Sequence, residues 1–244
     1  MLRALAIETS GRIGSIALAE DGGVVVEREF PHGLQHAAHI IPIIDELCRQ
    51  RNWTPRQIDH AYVSAGPGSF TGLRIGITLA KTLWLATGVK VVAVPTVRVL
   101  AENAPADARR AVIVLDAKRE QIYTARFERA TDPGLLPKPE GSSRWREMEP
   151  AHLDTLAAML ARSVRPVHLV GDGIPFHDKF IPQGDTGVVV TPADTWRARA
   201  GVVARLGWEM AARGEFADAM KLTPIYVRLP EAEEKYLAGR GQGG

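Results

Sequence analysis

A glycine-rich segment at residues 66–76, Gly-Pro-Gly-Ser-Phe-Thr-Gly-Leu-Arg-Ile-Gly, is the first candidate for chemistry. The glycines on either side of Pro67 allow backbone torsions that other residues avoid, and Ser69 or Thr71 can cap a following helix. Backbone amides at such a strand-to-helix turn can bind a phosphate. The alternative is a tight turn that lets the helix pack closely. The segment matches neither the Walker pattern nor the dinucleotide-binding pattern in its usual place.

Three histidines, His32, His36 and His39, could bind a metal, since the first two stand four residues apart and would share one helical face. A metal needs at least one more ligand, and no Cys, Asp or Glu stands nearby to complete a set. We therefore interpret these histidines as polar residues at the edge of a packed helix and expect no metal site. The order and spacing of the residues do not indicate a Ser/His/Asp catalytic triad either.

Three carboxylates stand at strand ends or turns. Glu8 follows the apolar run 5–7, Asp116 follows 112–115, and Asp172 lies between two glycines. Each can cap its turn by accepting hydrogen bonds from nearby amides. Each can also face a ligand, and the residues alone leave both interpretations open.

The elements that would position these groups fall into two similar halves. Apolar runs and the turn Asp21-Gly22-Gly23 predict three antiparallel strands within residues 1–30. The strand at 112–116 and its return strand at 121–127 repeat this opening plan. The other expected elements are helices at 34–49, 71–87, 96–102, 150–162 and 194–213 and strands at 61–65, 91–94 and 167–170.

Composition narrows the class of protein. The chain has 244 residues, is 45% hydrophobic and carries a formal charge of only +2, which argues against a protein that binds nucleic acid unaided. A single cysteine, Cys48, excludes an internal disulfide and fits a reducing compartment. No apolar run is long enough to span a membrane, and the first residues do not form a signal peptide. We expect a cytoplasmic protein with a flexible tail at 231–244.

The glycine-rich segment closely resembles the signature of the TsaB (YeaZ) family. Other parts of the chain agree with this resemblance, namely 5–10, 36–42, 116–123, 224–228 and 232–233. It implies an α/β fold, the two-lobed actin-like ATPase (ASKHA, ribonuclease H-like) fold, with a reduced second lobe. The lobes would span 1–104 and 105–230. In that superfamily, acids at the strand ends hold a metal–nucleotide, so Glu8, Thr9, Ser10 and Asp116 would form a vestigial nucleotide site.

The resemblance also implies a function. The chain would be a non-catalytic scaffold that dimerises with its paralogue TsaD, and the ATPase TsaE would dock on the pair. TsaD would transfer threonylcarbamoyl from threonylcarbamoyl-AMP to N6 of adenosine 37 in tRNAs reading ANN codons. Any cofactor would belong to TsaD or TsaE, contact with tRNA would be indirect, and the free chain could form a homodimer.

The two helices at 34–49 and 71–87 would form the partner interface, through Ile40, Ile44, Leu47, Leu73, Ile77, Ala80 and Trp84. The alternative is that these residues face only the chain's own sheet. The alternative function is a stand-alone enzyme, a metallopeptidase or a sugar-kinase-like phosphotransferase. The short second half, which lacks a glycine-rich phosphate loop, disfavours the kinase.

Overall fold

The structure is a computed structural model that describes residues 1–31, 36–130 and 145–228. The predicted tail at 231–244 lies outside these residues. Within the described part of the chain, no helix is both long and apolar enough to cross a bilayer.

The first sheet is built by the opening of the chain. Strands β1 (Arg3–Glu8), β2 (Ile13–Glu20) and β3 (Gly23–Pro31) form the predicted antiparallel meander, in which Ile7 pairs with Ile16. Strands β4 (His60–Gly66) and β5 (Lys90–Pro95) add in parallel, giving the order β3-β2-β1-β4-β5. Because β1 and β4 are parallel neighbours, their carboxyl ends meet at one edge of the sheet.

Side chains of β1 alternate between two cores, as the two-residue period of a strand requires. Leu5 and Ile7 pack into a core covered by helices α1 (His36–Gln50) and α2 (Phe70–Thr87). Ala4 and Ala6 pack into a second core, which contains α3 (Thr96–Ala101) and α6 (Ala200–Ala212) together with residues of the second sheet. Two helices therefore lie between the two sheets.

The second sheet has the order β11-β10-β6-β8-β7, with β9 also paired to β8. Its strands are β6 (Arg110–Ile113), β7 (Leu115–Asp116), β8 (Ile122–Arg129), β9 (Trp145–Asp154), β10 (Val167–Val170) and β11 (Val188–Val190). A third core covers its outer face with α4 (Leu156–Arg162) and the short α5 (Ile174–His177). The predicted repeat of the strand-and-return plan is confirmed, although the first strand is divided into β6 and β7.

Two helix predictions are wrong at their starts. The helix predicted at 150–162 begins only at Leu156, because residues up to Asp154 pair with β8 and Thr155 caps the helix by accepting a bond from the Ala158 amide. The helix predicted at 194–213 begins at Ala200, whose amide donates to the Ser15 hydroxyl at 2.7 Å. Strand pairing and a long-range cap decide these boundaries, and neither is visible in local periodicity.

The division into lobes at 104/105 falls between α3 and β6 and stays a prediction. Helix α6 comes from the second half of the sequence, yet it packs against β1 and β2 of the first sheet. Chain order and spatial grouping therefore differ at the carboxyl end.

Candidate functional site

The glycine-rich turn, residues 66–76, connects β4 to α2 as predicted. Gly66 has φ +108°, a torsion that favours glycine. Ser69 is the cap of α2, and its hydroxyl accepts a bond from the Gly72 amide at 3.3 Å. The turn therefore points the start of α2 toward the end of β1, because β1 and β4 end at the same sheet edge.

The glycines of this turn are required by close packing on the β1–β2 turn. A Cβ on Gly72 would lie 1.9 Å from the Thr9 carbonyl oxygen, and one on Gly68 would lie 2.5 Å from that of Ser10. A Cβ on Gly76 would lie 2.5 Å from the Thr9 hydroxyl. The amide of Ser69 also donates to the Ser10 carbonyl at 2.7 Å. The glycines thus let the start of α2 pack against the β1–β2 turn, and the Ser69 amide is used inside the chain.

Glu8, predicted as a ligand group, is completely buried. One carboxylate oxygen accepts bonds of 2.5 Å from both the amide and the hydroxyl of Ser10, and the other accepts from the Ser64 hydroxyl. Burial raises the pKa of Glu8 above its ordinary value of 4.5, against the opposing effect of these bonds. Glu8 is a structural carboxyl that ties β1 to β4.

Asp116 lies across from the β1–β2 turn, at the end of β7. Its carboxylate accepts from the Lys118 amide at 3.0 Å and from the Lys118 ammonium at 2.6 Å, and His177 Nε2 lies 3.2 Å away. Burial raises the pKa of Asp116, but the hydrogen bonds from Lys118 and His177 outweigh burial, and the net pKa is below the ordinary value.

A cleft of about 280 Å³ separates these two regions. Phe176 lines the cleft and is 47% exposed. The Arg12 guanidinium lies 4.9 Å and the Lys118 ammonium 5.5 Å from the centre of the Phe176 ring. The lining residues are Ser10, Gly11, Arg12, Gly68, Ser69, Leu115, Asp116, Lys118, Asp172 and Phe176. Of the predicted nucleotide site, the cleft thus brings together Ser10 and Asp116, whereas Glu8 and Thr9 lie outside it.

The predicted histidine site is only partly covered by the structure. His32 and the side chain of His36 lie outside the described residues, and His39 is exposed. Among the residues that the structure describes, no group of three or more His, Cys, Asp or Glu side chains is placed to hold a metal ion.

The residues predicted for the partner interface lie mostly against the chain's own sheet, which is the alternative interpretation of these two helices. Six of the seven are buried, five of them in the first core, and Trp84 is half-buried against the same core. The buried six are Ile40, Ile44, Leu47, Leu73, Ile77 and Ala80. The apolar side chains that these helices expose are others, chiefly Ile41 at 56% and Leu85 at 79%.

Sequence reasoning missed three residues that this region uses. Ser64 bonds Glu8, His177 bonds Asp116, and Tyr226 bonds Arg74 at 3.0 Å. Ser64 carried a signal, since it is a polar residue inside the apolar strand β4. His177 comes from a distant part of the chain, and no local pattern marks it. Tyr226 lies in the segment 224–228 that resembles the family, but that resemblance assigned it no contact.

The two sheets share one plan, since each opens with a strand and an antiparallel return strand, and turns from both sheets line the cleft. This arrangement is that of the actin-like class of α/β proteins. YeaZ from Pseudomonas aeruginosa has this fold, with a TM-score of 0.74 at 22% identity, covering 93% of this chain and 100% of that one. The family model described as "TsaD: tRNA N6-adenosine threonylcarbamoyltransferase" matches residues 14–134.

Sequence relatives narrow the class to a family. The "tRNA threonylcarbamoyladenosine biosynthesis protein TsaB" of Bacillus subtilis is 32% identical over 238 residues, which is 96% of this chain and 97% of that protein. The protein of the same name from Escherichia coli is 32% identical over 131 residues, 52% of this chain and 56% of its own length. The chain belongs to the TsaB family, as its glycine-rich turn predicted.

The environment of Glu8 predicts a pH effect. The unfolded carboxyl ionises near its ordinary pKa of 4.5, whereas the buried one resists ionisation, so unfolding releases a proton as the pH rises. Wild-type stability should therefore fall relative to Glu8→Gln as the pH is raised above about 4.5. Urea unfolding at several pH values measures this difference.

The exposed Glu147→Gln is the matched control and should run parallel to the wild type at every pH. A constant difference between Glu8→Gln and wild type from pH 4 to 8 would contradict the assignment of Glu8 as a buried, reluctantly ionised group.

Proposed function

We propose that this protein is the non-catalytic scaffold subunit of the machinery that makes threonylcarbamoyladenosine in tRNA. In this proposal it forms a heterodimer with TsaD, and TsaE docks on the pair. The name shared by the Bacillus subtilis and Escherichia coli relatives, tRNA threonylcarbamoyladenosine biosynthesis protein TsaB, supports the pathway. The single observation that carries the scaffold role is the use of the glycine-rich turn for packing, since a Cβ on Gly72 would lie 1.9 Å from the Thr9 carbonyl oxygen.

The chemistry of the cleft also supports a scaffold. Both Glu8 oxygens are already bonded inside the chain, and Asp116 is bonded by Lys118 and His177. Transfer of threonylcarbamoyl from threonylcarbamoyl-AMP to N6 of adenosine 37 of tRNAs reading ANN codons is therefore assigned to TsaD. Nucleotide and metal are assigned to TsaD and TsaE, and contact of this chain with tRNA is indirect.

The outer face of α1 and α2 is the proposed contact surface for TsaD. Helix α2 exposes Thr71, Thr78 and Leu85, and α1 exposes Ile41. These α2 positions follow the seven-residue spacing that keeps side chains on one helical face. A large exposed leucine at the end of that face gives a partner helix an apolar contact without disturbing the core. The same face can support a homodimer of the free chain, because a twofold contact reuses one surface.

Reconstitution tests the function directly. The purified chain should add no threonylcarbamoyl to tRNA when supplied with threonylcarbamoyl-AMP alone. Together with TsaD and TsaE it should raise incorporation of labelled threonine above that of TsaD and TsaE without it. Modification by the chain in the absence of TsaD would contradict a scaffold role, and so would equal incorporation with and without the chain.

Leu85→Glu tests the contact surface. The substitution places a charge on the outer face while leaving the core intact, so the fold should persist and affinity for TsaD should fall by about tenfold or more. Isothermal titration with TsaD measures the affinity. Val164→Glu is the matched control, since Val164 is 56% exposed and lies on the second sheet's side. Unchanged affinity of a folded Leu85→Glu protein would show that TsaD binds elsewhere.

A further inference from the structure

The segment after α6, residues 214–228, returns along the first sheet as an extended strap. We call it the C-terminal strap. The Ala217 amide donates to the Val91 carbonyl of edge strand β5 at 2.8 Å, and Ala219 is buried in the first core. The Ile225 amide then donates to the Ala65 carbonyl at 2.7 Å, at the end of β4. The strap thereby covers one edge of the first sheet and arrives at the glycine-rich turn.

The glycine-rich turn contacts the strap through the side chains of Phe70 and Arg74. The Nε of Arg74 donates to the Tyr226 hydroxyl at 3.0 Å, and its guanidinium lies 3.9 Å from the centre of the Phe70 ring. The rings of Phe70 and Tyr226 lie 5.3 Å apart. A Cβ on Gly66 would lie 3.0 Å from the Ile225 carbonyl oxygen. Aromatic contact, a charged hydrogen bond and close backbone approach hold the strap at this point.

Two residues further on, the strap reaches the second sheet. The Arg228 guanidinium donates to the Ala117 carbonyl at 2.6 Å and to the Gln121 side-chain oxygen. Between these acceptors, Lys118, Arg119 and Glu120 have φ of 63°, 54° and 60°.

A non-glycine residue in the left-handed region of backbone torsions is destabilised by on the order of 1–3 kcal/mol. Three such residues in succession therefore need surrounding hydrogen bonds to stabilise their conformation. Arg228 holds both ends of this left-handed loop, residues 118–120. Asp116 and Lys179 hold Lys118 and Glu120.

Both attachment points border the cleft. On one side, Phe70 follows the lining residues Gly68 and Ser69; on the other, Ala117 lies between the lining residues Asp116 and Lys118. The strap therefore bridges the two walls of the cleft with only Val227 between its two contact residues, Tyr226 and Arg228.

We propose that the C-terminal strap is a clasp between the lobes. It couples the glycine-rich turn of the first lobe to the left-handed loop of the second and so fixes the width of the cleft. Phe70 and Arg74 are positioning residues for this clasp, and the loop 118–120 keeps its left-handed conformation only while Arg228 is seated. The clasp does not depend on the proposed scaffold role.

Hydrogen–deuterium exchange on the full chain tests the coupling. Arg228→Ala should speed exchange of the Lys118 and Gln121 amides by about tenfold or more, because two hydrogen bonds from a charged donor are lost. Arg74→Ala removes the hydrogen bond to Tyr226 on the other side of the cleft. Amide exchange should become about threefold faster in residues 222–228 and, through the strap, in residues 117–121. Because Arg74 is exposed, this variant should fold even if Arg228→Ala does not.

Arg56→Ala is the matched control, an exposed arginine remote in sequence from the strap, and should leave both segments at wild-type rates. Unchanged exchange of 117–121 in folded Arg74→Ala would overturn the clasp. A uniform rise across both sheets in that variant would also overturn it, since it would report general destabilisation without a specific link.

Discussion

The contact between the start of α2 and the β1–β2 turn constrains the rest of this structure. Glycine at 72 lets the helix approach the Thr9 carbonyl to a distance that any Cβ would forbid, and Gly76 accommodates the Thr9 hydroxyl one turn later. This approach seats α2 on the first sheet, so that Leu73 and Ile77 enter the core. It also fixes which side chains remain outside, namely the exposed outer face of α2 and those that contact the C-terminal strap.

The same contact accompanies the burial of a carboxyl at the end of β1. Glu8 is completely buried and accepts hydrogen bonds from Ser10 and Ser64. A buried carboxyl is tolerated when its oxygens are satisfied, and here the raised pKa is the residual cost of burial. The cleft beside it is lined by Gly68 and Ser69 on the near wall and by Asp116 and Phe176 on the far wall.

Much of the fold could be predicted from sequence, because strands with a two-residue period and glycine turns act locally. The meander, the parallel strands and the second half's repeat of the plan followed from such patterns. The helix starts at Leu156 and Ala200 could not be predicted from sequence, because pairing with β8 determines the first and the distant Ser15 determines the second.

The site was predicted in part. The glycine-rich turn marked the family and the close approach of the helix, but apolar periodicity could not tell which row of α1 and α2 is buried. Helix α1 carries two apolar rows, and both helices pack on the sheet and on each other. The strap carries no periodic pattern, and its contact between Arg74 and Tyr226 joins residues that only tertiary structure brings together.

Gly72→Ala tests most directly whether the glycine-rich turn is a packing device. The added methyl must displace α2 from Thr9, so the free energy of unfolding should fall by about 3 kcal/mol, as overpacking at a rigid backbone contact does. Gly11→Ala is the control, because its nearest neighbour would be 3.7 Å away, and should lose less than about 1 kcal/mol. Wild-type stability of Gly72→Ala, combined with lost tRNA modification in the presence of TsaD, would contradict this account and would indicate a ligand cradle instead.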